Sequence, residues 1–80
     1  MQQELELIQN FDNDSKWFHK NINNLRIQNL IGKFVAVENE KVIDANENMQ
    51  DLVASLERKN KNPNFIFIEF VYPEGYTLLL

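Results

Sequence analysis

Three side chains in this sequence could do acid–base chemistry if the fold brought them together: His19, Asp44 and Glu69. His19 is the only histidine, and a general acid or base needs a carboxylate or a nucleophile within hydrogen-bond reach. Asp12 and Asp14 lie seven and five residues before it, which is not the spacing of helical neighbours. We therefore interpret His19 as a solvated helix side chain.

Asp44 and Glu69 are carboxylates inside apolar strand patterns. Burial raises the pKa of a carboxyl and can mark a site, and a convergent pair could serve a glycosidase-like reaction. A chain of 80 residues offers little room for the cleft that this reaction needs. We expect Asp44 to accept bonds from backbone amides near residues 46–48. Glu69 is expected either to pair with a lysine or arginine or to lie on a solvated or interfacial rim.

The residue inventory excludes several kinds of chemistry. The chain has no cysteine, which removes disulfides, thiolate catalysis and cysteine-ligated zinc. A metal site would have to consist of carboxylates, and no calcium-loop motif occurs. Gly32 and Gly75 are the only glycines, and neither lies in a phosphate-binding loop. The sequence therefore predicts no cofactor, no metal site and no enzymatic activity.

The charge of the chain bears on nucleic-acid binding. A net charge of −4 disfavours it, because such binding needs lysines and arginines that neutralise phosphates. Arg58, Lys59 and Lys61 form a candidate basic patch. We interpret these cations as complementing the negative carboxyl end of a helix. The alternative is a nucleic-acid contact surface.

The N-terminal part of the chain is predicted to be helical with one break. Residues 1–12 carry apolar side chains at imperfect helical spacing, so the order of this segment is left open. The polar cluster at residues 12–15 is suited to capping and predicts the start of a helix. Asparagines within residues 21–24 predict a break or kink. A short helix over residues 25–30 would then end at Gly32.

From Lys33 the apolar pattern has a period of two, which predicts a β-hairpin. A two-residue turn at Asn39 and Glu40 predicts four strand pairs: Glu38 with Lys41, Val37 with Val42, Ala36 with Ile43, and Val35 with Asp44. The same register predicts two apolar faces, one of Phe34, Ala36, Ile43 and Ala45, the other of Val35, Val37 and Val42. Because Glu40 resists the positive φ of a type I′ turn, a one-residue slip or a bulge is the alternative.

A helix and a strand follow the hairpin. The helix is predicted over residues 47–59, with Asn46 as N-cap and an apolar stripe of Met49, Leu52, Val53 and Leu56. The apolar run over residues 65–72 predicts an interior strand buried on both faces. A turn at residues 73–75 could return the chain as a short fourth strand at residues 77–80.

These elements predict a small α+β domain with two or three layers, in the order helices, hairpin, helix, strand. We place it at residues 13–80, after an N-terminal segment at 1–12. The helix after the hairpin covers one sheet face, so the N-terminal helices or a second subunit must cover the other. We expect the N-terminal helices there, and an unpaired strand edge that invites a homodimer. The candidate interface residues are Phe65, Phe67, Glu69, Val71 and Tyr72.

Three stretches carry a family resemblance: Trp17, the run GKFVAVENEKVIDANENMQDLVASLE, and the run FIFIEFVYPE. Together they resemble a small prokaryotic domain family of unknown function, whose members have a tryptophan helix, a GKWVAV-type hairpin, an amphipathic helix and an apolar strand ending near proline. This chain departs from the family at two places. Residues 39–40 stand where the family's turn often carries glycine, and Asn46 stands where a glycine often precedes the helix. The resemblance supplies no catalytic residue. It implies one candidate partner, a retropepsin-like aspartic protease.

The sequence thus favours a noncatalytic protein-interaction or homodimerisation module, accessory to another protein. The alternative is a nucleic-acid-binding or antitoxin-like or inhibitor-like regulatory protein. No window is apolar enough to span a membrane, and residues 1–4 show neither a basic nor a hydrophobic leader pattern. We therefore expect a cytoplasmic protein.

Overall fold

The computed structural model describes residues 2–75 of the chain, with side chains from residue 8 onward. Its elements are α1 (Gln2–Lys20), α2 (Ile22–Ile27), β1 (Phe34–Val37), β2 (Val42–Asn46), α3 (Met49–Arg58), a 3₁₀ turn (Pro63–Phe65) and β3 (Phe67–Phe70). The predicted α+β class and the order of elements are confirmed. The predicted fourth strand at residues 77–80 lies outside the described part of the chain.

The three strands form one antiparallel sheet in the order β2-β1-β3. β1 is therefore the central strand, and the prediction of an interior strand at residues 65–72 is wrong for the sheet as described, where β3 lies at an edge. The run is apolar because its two faces meet different helices. Phe67 packs in the cluster with Phe18 of α1, whereas Ile66 packs in the cluster with Leu52 of α3.

Each face of the sheet has its own apolar core. On the α3 face, Leu52 and Leu56 are fully buried against Ala36 of β1. On the other face, Phe18 of α1 and Leu25 of α2 pack against Val35, Val37 and Val71. The predicted cover by the N-terminal helices is confirmed, which makes three layers. Among the described residues, no helix has the length and apolarity needed to cross a membrane.

The hairpin turn has the predicted position. Asn39 and Glu40 have φ values of 54° and 58°, and Glu38 N–H donates to Lys41 O at 2.9 Å. Left-handed backbone is costly for a residue such as Glu40. Asp14 of α1, which is only 5% exposed, helps to hold it by accepting the Glu40 N–H at 2.8 Å.

A bulge in β2 changes the register after the first pair. Val37 pairs with Val42 as predicted, but Ala36 pairs with Asp44 and the ladder shifts between Ala36 and Val37. Ile43 is thus the extra residue of β2, and the predicted partners of Ala36 and Val35 are wrong by one position. Because strand side chains alternate between faces, one inserted residue exchanges the faces of everything beyond it. Asp44 therefore faces α3, and Ala45 packs on the α1–α2 side.

The ends of the helices differ from prediction in three places. α1 runs without interruption through residues 12–15, which were expected to cap it, although the chain does break at Asn21. α2 ends at Ile27, and Asn29 with φ 70° takes the left-handed position expected of Gly32. The N-cap of α3 is Asn48, whose side chain accepts the Asp51 N–H at 3.1 Å. The expected cap, Asn46, instead accepts the Asn48 N–H.

Candidate functional site

Asp44 is a structural anchor between β2 and α3. Its Oδ2 accepts the hydroxyl of Ser55 at 2.5 Å and lies 3.1 Å from Nζ of Lys59, and its Oδ1 accepts the Ala45 N–H at 2.9 Å. Burial by itself would raise the pKa of Asp44. The hydrogen bonds from Ser55, Lys59 and Ala45 and the charge of Lys59 outweigh it and lower the pKa. The expected bonds to amides at residues 46–48 are not the ones formed, because the bulge turns the carboxylate toward α3.

Glu69 lies on the opposite face of the sheet from Asp44. It pairs with Val35, which belongs to the α1–α2 core, whereas Asp44 pairs with Ala36 of the α3 core. The sheet separates the two carboxylates, so they cannot act on one substrate as a glycosidase pair. Among the described residues, no group of three or more His, Cys, Asp or Glu side chains could hold a metal ion.

The candidate basic patch is largely engaged within the chain. Lys59 bonds to Asp44 as described and also approaches Ile43 O at 3.4 Å. Lys61 lies 2.6 Å from Oε1 of Glu38. Arg58 is exposed in the last turn of α3, the position expected of a cation that complements the helix dipole. Two of the three cations thus have acidic partners, which weakens the case for a nucleic-acid surface here.

The candidate interface residues divide into two groups. Phe67 and Val71 are buried in the α1–α2 core, so they are not available to a partner. Phe65 is 56% exposed, and Glu69 and Tyr72 are half-buried beside the outer edge of β3. Alternation does not explain the division, because Phe67, Glu69 and Val71 lie two residues apart and share one face. Phe67 and Val71 pack in the core of that face, whereas Glu69 lies at its rim.

The outer edge of β3 presents polar backbone groups. Val71 N–H donates to Lys33 O at 3.0 Å, at the end of the ladder with β1. Along an antiparallel strand, residues whose N–H and C=O face the neighbouring strand alternate with residues whose N–H and C=O face away from it. Since Val71 bonds on the side of β1, the N–H and C=O groups of Ile68 and Phe70 point away from β1. Among the described residues β3 pairs with β1 alone. Within residues 2–75 the outer edge of β3 is therefore open to a further strand.

Two side chains partly cover this edge. Oε1 of Glu69 accepts the outward N–H of Phe70 at a long 3.4 Å, and Nε of Arg26 donates to Tyr72 O at 2.9 Å. Charged side chains that cover backbone groups are one of the ways in which proteins limit unwanted pairing at a strand edge. A long bond of this kind is readily exchanged for a better one.

A groove of about 340 Å³ runs between this edge and the N-terminal helices. We call it the edge groove; it is lined by Phe18, His19, Ile22, Arg26, Glu69, Phe70 and Tyr72. His19 is exposed at its rim, and its Nδ1 lies 2.8 Å from Ser15 O, an arrangement in which Nδ1 donates. The groove combines apolar side chains with three polar ones, which is the usual character of a binding surface.

The sequence reasoning missed Arg26 as a component of this site. Its contact with Tyr72 joins residues 46 positions apart, and Nη1 also donates to Asn23 at 2.9 Å. No periodicity or motif links these residues in the sequence. The signal that could have found Arg26 is its isolation as a cation on a short helix beside apolar Leu25.

Comparisons with protein-family models, with curated proteins and with solved structures gave no match to this chain.

Proposed function

We propose that this chain is a noncatalytic protein-interaction module that receives an extended polypeptide segment along the outer edge of β3, and that its first occupant is β3 of a second copy. The observation that carries the proposal is the outward backbone of Ile68 and Phe70. Strand addition at such an edge supplies main-chain hydrogen bonds, and an adjoining groove selects side chains. Each copy offers both parts.

The sequence offers two grounds for a dimer, an apolar sheet face and an unpaired strand edge. α1 and α2 cover the face, which leaves the edge. What supports association is the strand edge together with a row of half-buried aromatic rings next to it. Phe34 and Phe70 have ring centroids 5.0 Å apart, and those of Phe70 and Tyr72 are 4.8 Å apart. Aromatic side chains are enriched in protein–protein interfaces relative to the rest of the surface.

The sequence of β3 suits pairing with itself about a two-fold axis. If Ile68 lies opposite Ile68 of the copy, Glu69 lies opposite Phe67, and no two like charges face each other. The neighbouring antiparallel register would set Glu69 against Glu69 and is disfavoured by repulsion. The symmetric register on Ile68 is the one that we expect.

Sedimentation velocity over a range of concentrations tests this proposal, with Ile68→Pro as the disruptive variant. Proline removes the outward N–H of Ile68 without removing a bond to β1, as on natural edge strands. Ile68→Val keeps that N–H and is the matched control. Circular dichroism of each variant checks that the fold is retained.

We expect wild type and Ile68→Val to dimerise with rising concentration and folded Ile68→Pro to stay monomeric. A wild-type chain that stays monomeric at every concentration would overturn the second copy as occupant. If Ile68→Pro dimerises as strongly as wild type, the outer edge of β3 is not the contact between the copies. A retropepsin-like protease, the partner that the family resemblance implies, stays a prediction that direct mixing with such a protein would test.

A further inference from the structure

A second surface on the α1–α2 side lies away from the edge groove and has a different chemical character. Two adjoining hollows, of about 430 and 280 Å³, share Trp17 and Asn21 as lining residues. They lie between the junction of α1 with α2 and the hairpin turn, where Glu40 and Lys41 contribute. We call this surface the Trp17 trough. Among the described residues, none lines both the trough and the edge groove.

The trough is rich in hydrogen-bond donors. No described residue accepts the indole N–H of Trp17, and none of the buried side-chain nitrogens or oxygens in the described part of the chain lacks a partner, so this N–H reaches solvent. Asn21 Nδ2 donates to Trp17 O at 2.9 Å, which orients the amide. The amides of Asn24 and Gln28 extend the donor set along the trough.

The trough also concentrates positive charge. Of the described residues, three lysines line it, Lys16, Lys20 and Lys41, against one acidic residue, Glu40. Lys16 forms an ion pair with Asp12, but both side chains are largely exposed and such a pair contributes little. In the described part of the chain, Lys20 and Lys41 have no acidic partner within bonding distance. Three of the eight lysines and arginines of an acidic chain thus lie around one tryptophan.

We infer that the Trp17 trough binds an acidic peptide segment, whose carboxylates accept from the lysines and the indole N–H. Lysine, indole and amide donors match carboxylate oxygens, and charge-assisted bonds of this kind are the stronger ones. A nucleic acid offers anionic oxygens as well, but its continuous charge opposes the net charge of −4 of the whole chain. A peptide with a few carboxylates can pair with the lysines of the trough, and it carries too little charge to be strongly repelled by the rest of the chain. The occupant differs from the β3 strand proposed for the edge, so the two sites can fail independently.

The fluorescence of Trp17 gives a direct test, because it is the only tryptophan. The full-length chain is titrated at low salt with a short oligoglutamate peptide, a Gly–Ser peptide of equal length and an oligothymidylate of equal charge. The double variant Lys20→Gln/Lys41→Gln removes the two trough lysines that have no acidic partner among the described residues. Arg58→Gln/Lys33→Gln removes two cations that do not line the trough and is the matched control.

We expect saturable quenching or enhancement with oligoglutamate, weakened about fivefold by the trough double variant and by added salt, with little change in the control variant. The Gly–Ser peptide should give no response. The inference is overturned by an absent response to oligoglutamate, by an equal response to the Gly–Ser peptide, or by tighter binding of oligothymidylate. Equal weakening in both double variants would also overturn it, since it would mean that net charge alone acts.

Discussion

The two faces of the sheet are both covered, but they are closed in different ways. On the α3 face, one amphipathic helix seals the core, Asp44 is held by Ser55 and Lys59, and Glu38 pairs with Lys61 after the helix. On the α1–α2 face, two helices meet at a break, and the edge groove and the Trp17 trough remain open beside them. Of the side chains that stand out in the sequence, Asp44, Lys59 and Lys61 are bonded within the closed face. His19, Glu69 and Trp17 instead line the open surfaces, where they can meet a partner.

The closed face should be the most sensitive to truncation. Leu56→Ala removes a fully buried side chain from the α3 core and should lower the free energy of unfolding by about 3 kcal/mol. Met49→Ala, at a position of the same stripe that is 41% exposed, should cost less than about 1 kcal/mol. Urea unfolding of both variants checks this. Equal losses of unfolding free energy in the two variants would contradict the account, because Leu56 would then contribute no more to the α3 core than the exposed Met49.

The Asp44 anchor should make the closed face sensitive to acid. The lowered pKa of Asp44 means that its carboxylate stabilises the fold fully above the ordinary value of 3.8, and that this stabilisation is lost as pH falls through the folded pKa. Asp44→Asn should cost about 1 kcal/mol at neutral pH and progressively less below pH 3.8. Glu57→Gln, on the exposed side of α3, is the control. A loss that does not shrink on acidification would contradict the assignment.

The turn on the open side should yield the smallest effect, and a favourable one. Glu40→Gly removes a side chain from a residue with φ 58° and should stabilise the fold by up to about 1 kcal/mol. It also removes the negative charge that Glu40 contributes to the trough, so binding of oligoglutamate should tighten about twofold. Glu40→Gln keeps the backbone strain and removes only the charge. If both variants stabilise the fold equally, relief of strain is not the cause.

The sequence predicted the elements that depend on local pattern and left out the contacts that depend on one inserted residue or on distant partners. The stripe ending at Leu56 predicted α3 and its buried face, and residues 39–40 predicted the turn. The bulge at Ile43 was only an alternative, since nothing in the alternation of β2 marks which residue is extra. That one residue decides whether Asp44 faces α1 and α2 or α3.

The candidate surfaces were harder to predict from the sequence than the fold, for a related reason. Strand order makes β3 an edge in the described sheet, and strand order follows from how α3 crosses the sheet rather than from the composition of β3. Phe67 and Glu69 are alike in sequence terms as members of one apolar run, yet the first is core and the second is rim. The Trp17 trough was harder still to predict, because its lining residues come from the break between α1 and α2 and from the hairpin turn, which are distant in the sequence.

The most direct test of the central claim is amide hydrogen exchange at β3, measured residue by residue at low and high protein concentration. If β3 receives a strand from a second copy, the outward N–H groups of Ile68 and Phe70 gain protection as concentration rises, whereas those of Phe67 and Glu69, already bonded to β1, change little. Exchange at Ile68 and Phe70 that stays fast at every concentration would contradict the claim.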